Sequence, residues 1–600
     1  MQSEHSEERL YDVIVESDVM APMCDGIRLA CDVYFPARDG KRVDGQFPAV
    51  LERTPYDKRR QAPHARYFAA RGYGGVIQDC RGRFKSEGEF RAARPEAQDG
   101  YDTIEWLAHQ PWCNGRVGTL GISFAGSNQG AAGALNPPHL CSMIPTHGFS
   151  FSPSIRYRFG GAARLCSSLI RQFTMVQDAK EAEGNPALKA YFQDARKNIA
   201  QWLRNLPLKR GHNPFSPAPE YEDDVFEKLQ QSEWNEYYNH VSFDVSPYWD
   251  QYSPADVLLM GGWYDSHGSS PMIAYLNLVK RKGPLTRLLV GPWKHGQLQV
   301  TYAGDVEFGP EAAIDFNETR RRWFDMTLKQ QPSTAEPPIR LFVMGGGTGR
   351  KNAHGRLDHG GRWRCENEWP PATARATPLY LHPGGKLSLE MPGASRPTAY
   401  QFDPRNPVPT IGGPVSSAED IMPAGGFDQV NRPGVFGATD TLPLAARHDV
   451  CVFQTERLEQ DVEVVGPLEF VLYASSDCVD TDFTGKLIDA YPPNEDYPAG
   501  YALNIQDSII RARYRNRREP PEFLEPGKVY EFRMQFFPTG NVFKEGHRIR
   551  LDVSSSNFPR FDVNPNTGEP MMQNGLYRVA TNAIYHDPLH PSHIVLPIVG

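Results

Sequence analysis

RVGTLGISFAGSNQGAAG, residues 116–133, reads as an apolar strand that runs into a helix of small residues, with Ser123 at the bend. A sharp strand-to-helix turn pushes one side chain outward and brings positions −2 and +2 together, so those positions must be small. Gly121 and Ala125 stand there. Gly126, Gly130 and Gly133 would each weaken an isolated helix by roughly 1 kcal/mol, a cost that makes sense if the helix must lie very close to a sheet. The pattern alone fits a nucleophile elbow or a merely packed turn serine.

Working outward separates these readings. A serine hydroxyl attacks only when an imidazole takes its proton, and the imidazole needs a carboxylate to hold its tautomer and stabilise its cation. In a parallel sheet these partners belong on loops at the carboxyl ends of later strands, in the order serine, acid, histidine. LLMGGWYD (258–265) is an apolar run that delivers Asp265 at its end, and LLVGPWKH (288–295) delivers His295 in the same way. Singly, Asp265 fits a helix cap and His295 a loop histidine. Together with the elbow, in the required order, they read as a triad. His267, on the same loop as the acid, is assigned to the pocket rim with Trp263 and with His147, which follows the strand-like CSMIP. An oxyanion hole is expected from the Phe124 backbone N–H and from the RTPYDK loop (53–58), where Tyr56 could offer its phenol.

Strand-like FPAVLERTPYDK, GYGGVIQDCRGR and the elbow strand alternate with helical DGYDTIEWLAHQ, which implies a parallel sheet. Residues 147–246 switch to helical periodicity, and the strand pattern resumes at 247–360, so the first domain (beginning within 1–146) is split by a helical insertion. From 361 to 600 proline and glycine become dense around short alternating runs such as LEFVLYA, YEFRMQFF and HRIRLDVS, the pattern of an antiparallel sandwich or jelly roll. Aromatics of the insertion, Phe149, Phe151, Tyr157 and Phe173, are assigned to core ahead of pocket lining.

A net charge of −8 argues against a nucleic-acid surface. No stretch approaches 18 uncharged apolar residues and MQSEHSEERL lacks the features of a secretion signal, so no membrane partner and a cytoplasmic address are expected. Nine scattered cysteines without a CxxC pair indicate neither a disulfide framework nor a zinc site. YHDPLHPSH (585–593) has metal-like spacing, but Pro588 and Pro591 in an extended segment oppose convergence on one ion. No metal and no cofactor are expected.

RTPYDK, QDCRGRFKSEGEF, DTIEWLAHQPWCNGRVGTLGISFAG, GGWYD, GPWKHG and HRIRLDVSSSNFPRFDVNPNTG, in this order, resemble the cocaine esterase and α-amino acid ester hydrolase family, whose larger relatives include X-Pro dipeptidyl peptidases. The likeness spans nearly the whole chain. It implies an α/β-hydrolase domain with an inserted helical cap and a C-terminal β jelly-roll domain. It also implies Ser123 as nucleophile, His295 as base, Asp265 as its orienter, and Tyr56 with the Phe124 amide as oxyanion hole. The family usually places tyrosine after the serine, where this chain has Phe124; the backbone N–H is unaffected. Members that select a free α-amino group carry acidic residues shortly after the triad acid, whereas this chain reads Asp265-Ser-His-Gly-Ser-Ser-Pro. An uncharged or aromatic acyl group is therefore favoured over an ammonium, although His267 would suit a substrate carboxylate, as in the similar glutaryl-cephalosporin acylases. The resulting expectation is a serine hydrolase acting on a small carboxylic ester through an acyl-enzyme. Amide cleavage with the same triad is the alternative, and a catalytically silent binding protein on this scaffold is the non-enzymatic one. A homo-oligomer is compatible with the resemblance.

Overall fold

The computed structural model describes residues 10–91, 94–149, 157–233, 235–332, 336–516, 520–570 and 575–600. A twisted sheet is built from β1 (Asp12–Pro22), β2 (Arg28–Arg38), β3 (Phe47–Thr54), β4 (Gly74–Asp79), β5 (Cys113–Ile122), β6 (Leu140–Thr146), β7 (Asp256–Tyr264), β8 (Thr286–Lys294), β9 (Ile339–Met344) and β10 (Gly361–Glu366). Its spatial order is β1-β2-β4-β3-β5-β6-β7-β8-β9-β10; the run from β4 to β9 is parallel, and the flanking β1, β2 and β10 are antiparallel.

Both faces of the parallel run are covered, which is why its strands are apolar throughout rather than alternating. The period of two sends Val50, Leu258, Met260 and Leu289 to one face, against Phe68, Phe316, Trp323 and Phe324 of α1 (Ala62–Ala69) and the helix Phe316–Thr327. Their neighbours Ala49, Leu51, Val257, Leu259, Leu288 and Val290 go to the other face, with Ile104 and Leu107 of α2 (Glu96–Ala108), Ala132 of α3 (Phe124–Ala134), and Met272 and Leu278. Every residue of α3 is buried. Its small residues permit this closeness: a Cβ on Gly126 would stand 2.8 Å from the Thr146 carbonyl, and one on Gly133 would stand 2.6 Å from the Tyr252 hydroxyl.

Between β6 and β7 the chain forms the helices Arg171–Met175, Pro186–Lys197, Ile199–Arg204 and Pro219–Gln230. The insertion also contains a two-residue pairing of Arg158–Phe159 with Ala162–Ala163, too short to leave a strand signature in the sequence. Phe173 packs on Phe215, Phe149 on Trp249 and Tyr252, and Tyr157 on Phe243, all as core; Phe151 lies outside the described residues.

After β10 the chain forms two antiparallel sheets that face each other, one of them ordering Cys451–Gln454, Arg548–Ser554, Asp482–Tyr491 and Tyr501–Arg511. Between the layers Phe483 and Phe532 have ring centroids 4.9 Å apart, and Gly485 leaves the room that Phe470 and Phe536 occupy. This sandwich also grips the insertion: the Ala163 N–H donates to Asp562, the Arg511 N–H to the Gly160 carbonyl, and the Leu165 N–H to the Arg560 carbonyl. The histidines of 585–593 are engaged within it, His586 with Ser395 and Thr398, His590 with Asp587, and His593 with the Pro591 carbonyl. Among the described residues no helix is long and apolar enough to cross a membrane.

Candidate active site

The parallel strands end along one rim, and neighbouring strands β3, β5, β6, β7 and β8 each release a polar or aromatic side chain there: Tyr56, Ser123, His147, Asp265 and His295. Ser123 sits at φ +64°, ψ −115°, a conformation that non-glycine residues rarely adopt and that clusters at functional sites. Surrounding structure over-determines it. The Ser123 N–H donates to the Thr146 carbonyl at 2.9 Å, and the Ser127 N–H donates to the Ser123 carbonyl at 2.9 Å. The small flank at −2 is needed sterically: Gly121 has φ +149°, and a Cβ on it would lie 2.5 Å from that of Ala125.

Asp265 is fully buried, and its two carboxylate oxygens divide their work. Oδ1 accepts the backbone N–H of His267, while Oδ2 lies 3.1 Å from His295 Nδ1 and 3.3 Å from His147 Nδ1. Burial pushes its pKa up, but the fields of His147 and His295, the His295 hydrogen bond and nearby His267 outweigh it, and the carboxyl is held well below the usual carboxylate range. His147 is also fully buried; burial depresses it to about 4 against the pull of Asp265, so its ring is neutral at pH 7. Its Nδ1 accepts the Gly296 N–H at 2.9 Å, which places the ring proton on Nε2. At neutral pH the carboxylate is therefore held by His295 and the His267 amide, and His147 is a neutral ring buried against it.

Ser123, Phe124, Tyr56, His267 and His295 line one cavity of roughly 380 Å³, together with Ser127, Cys166, Ser167, Arg171, Thr174, Ser416 and Ser417. Ser123 and His295 share this cavity without a hydrogen bond between them, and such bonds are commonly long until substrate is in place. Phe124 is the first residue of α3, so its N–H precedes the intrahelical bonds and lies at the positive end of the helix.

Two residues assigned from sequence to the pocket lie elsewhere. Trp263 is core: as the side chain before the strand's last residue, it points into the protein, donates from Nε1 to the Phe342 carbonyl at 2.6 Å and packs near Trp369. His147 lies beneath the site rather than on its wall, with its ring 5.8 Å from that of His295. His267 does reach the wall, 5.6 Å from the His295 ring. Sequence reasoning passed over Arg171, a cation within the otherwise uncharged CSSLIRQF, and the strap Ser416-Ser417, by which the C-terminal part joins the cavity lining. The strap is pinned by Ser266 Oγ to Ser416 Oγ at 2.8 Å and by Lys294 to Glu419 at 2.6 Å.

A doubly covered parallel sheet with a strained serine elbow and a His–Asp pair at its carboxyl rim defines an α/β-hydrolase, and the chain is a serine hydrolase. It belongs to the cocaine esterase family. Residues 25–297 match the X-Pro dipeptidyl-peptidase (S15 family) and residues 333–595 match the X-Pro dipeptidyl-peptidase C-terminal non-catalytic domain. The chain is 32% identical over 626 residues to cocaine esterase of Rhodococcus sp. (strain MB1 Bresler), covering 98% of each chain. Its fold is shared with an aminopeptidase from a marine sediment archaeon, Thaumarchaeota archaeon (TM-score 0.76, 24% identity, covering 100% of this chain and 99% of that one). It is shared too with a selenomethionine-labelled α-amino acid ester hydrolase (TM-score 0.77, 24% identity, covering 99% of each).

Proposed function

We propose that Ser123 hydrolyses a small carboxylic ester through an acyl-enzyme, with His295 as general base and acid and Asp265 as its orienter. Ser123 Oγ attacks the carbonyl carbon as its proton passes to His295 Nε2. The oxyanion takes hydrogen bonds from the Phe124 N–H and the Tyr56 hydroxyl. Collapse breaks the bond to the leaving oxygen, which receives the proton from His295, and water then repeats the sequence on the acyl-enzyme. Asp265 stays ionised throughout and stabilises the imidazolium.

The observation that carries this reading is the convergence of Ser123 and His295 on one cavity, with Asp265 Oδ2 3.1 Å behind the imidazole. Amide cleavage with the same groups is the second reading and is favoured only by His295 being placed to protonate a leaving nitrogen as well as an oxygen. Among the described residues the cavity lining contains no carboxylate, which disfavours an ammonium-bearing acyl group. All nine cysteines are free, which fits a reducing cytoplasm; self-association is checked by sedimentation.

Fluorophosphonate labelling followed by peptide mass mapping is the direct test, with modification expected on Ser123 and none in Ser123→Ala. Label on another residue, or none, would return the chain to a silent scaffold. Matched 4-nitrophenyl ester and 4-nitroanilide substrates order the two activities, and an anilide rate at or above the ester rate would favour the amidase reading.

A further inference from the structure

The most unusual group on the cavity wall is a cation. Arg171 follows directly on the π-helical turn Cys166–Ile170, begins the α-helical turn Arg171–Met175, and reaches the cavity beside Ser123, Tyr56 and Phe124. Its guanidinium carbon lies 5.7 Å from the centre of the Phe124 ring, and the Tyr56 phenol stands next to it.

Buried arginines elsewhere are matched to carboxylates, as Arg53 to Glu96, Arg511 to Asp482 and Asp562, and Arg513 to Asp480, or to backbone carbonyls, as Arg83 and Arg158. The part-buried Arg171 is matched to neither set in full. Among the described residues it has no carboxylate within 4.0 Å, its Nη2 makes one long bond of 3.5 Å to the Ser167 carbonyl, and its Nε is buried without an acceptor. Asp224, the acidic group whose field it feels, is already shared by Lys228 and Gln172. Burial works against the charge, but the Asp224 carboxylate and a hydrogen bond to the Tyr56 phenol favour it, and the group stays a guanidinium. A largely desolvated cation without a counter-ion is costly, and a planar fork of donors is complementary to a carboxylate. Thr174, Ser167 and Ser416 line the same cavity.

We infer that Arg171 binds a carboxylate of the substrate, so that the preferred substrates are esters carrying a second, ionised acid group within reach of the scissile carbonyl. The inference rests on the serine-hydrolase reading above and narrows it, away from the uncharged acyl group that the sequence alone suggests. The carboxylate could belong to the acyl part, as in a dicarboxylic half-ester, or to the leaving group, as in an ester of a hydroxy acid.

Two substrate pairs separate these sources: 4-nitrophenyl hydrogen glutarate against its methyl-capped neutral form, and 4-acetoxybenzoate against methyl 4-acetoxybenzoate. In one pair the wild type should prefer the acid by about tenfold or more in kcat/KM, chiefly through KM. Arg171→Met should abolish that preference, with the loss on the acid ester at least about tenfold greater than the loss on the neutral ester, and Arg171→Lys should retain part of it. Fluorophosphonate labelling of Ser123 in Arg171→Met would show that the variant is folded with a reactive serine. Should that variant fail to fold, competitive inhibition of the wild type by glutarate, with none by glutaramide, serves in its place. Wild-type preference for the neutral member of both pairs would overturn the inference, as would equal loss on acid and neutral esters in Arg171→Met, or equal inhibition by glutarate and glutaramide. Hydrolysis of either pair by Ser123→Ala would instead overturn the serine-hydrolase reading itself.

Discussion

His147→Asn tests whether the carboxylate at the centre of the site is backed by a neutral ring. The position has φ +48°, a left-handed conformation that asparagine tolerates better than most residues. Its side-chain oxygen can replace Nδ1 as acceptor for the Gly296 N–H, so the substitution removes the titrating ring with little new backbone strain. The folded His147 titrates near 4, whereas an unfolded histidine titrates near ~6.5. Between these values the unfolded chain takes up a proton and the folded chain does not, so stability is full above about 6.5 and is lost as pH falls toward 4. By pH 4.5 the loss amounts to about 2–3 kcal/mol. The variant lacks this loss. Urea unfolding followed by tryptophan fluorescence, on wild type and variant at pH 7 and pH 4.5, should therefore show the wild type's advantage shrinking by that amount in acid. An advantage that stays constant, or grows at pH 4.5, would refute the reasoning, because His147 would then be carrying a proton shared with Asp265 in the folded state.

The remaining expectations concern chemistry, backbone and inter-domain grip. Asp265→Asn should leave the fold intact but lower kcat by on the order of 10⁴, since an amide neither fixes the His295 tautomer nor stabilises its cation; steady-state rates on a 4-nitrophenyl ester check this, and a loss under tenfold would remove Asp265 from the mechanism. Gly121→Val should cost roughly 2–4 kcal/mol or prevent folding, because the new Cβ falls 2.5 Å from that of Ala125 at φ +149°; thermal unfolding at the wild-type midpoint would show that the elbow can open to admit a side chain. Arg511→Met leaves Asp482 and Asp562 buried without their partner and should destabilise the C-terminal sandwich by about 3–5 kcal/mol, read as a lower urea midpoint. Because Asp562 also receives the Ala163 N–H, proteolysis within the insertion should accelerate in the same variant.

Much of the site could be read from sequence because a parallel strand couples local pattern to position. An apolar run that ends in a polar residue puts that residue at the carboxyl rim wherever the strand lies in the sheet, so Ser123, Asp265 and His295 were placed by their own neighbours, and their order along the chain supplied the rest. The change of periodicity at the insertion and the density of short alternating runs after 360 are equally local signals. What the sequence did not contain is through-space information. Trp263 and Asp265 are two residues apart, one near the end of a strand and the other just past it, yet only the neighbouring Phe342 carbonyl and Trp369 ring show the indole to be core. His147 reads as one more residue after a strand; that it is buried, neutral and in contact with the same carboxylate as His295 depends on β6 and β7 being neighbours. Arg171 carries no motif at all. Its meaning comes from the missing counter-ion, and whether a charge has one is decided by which distant segments fold around it.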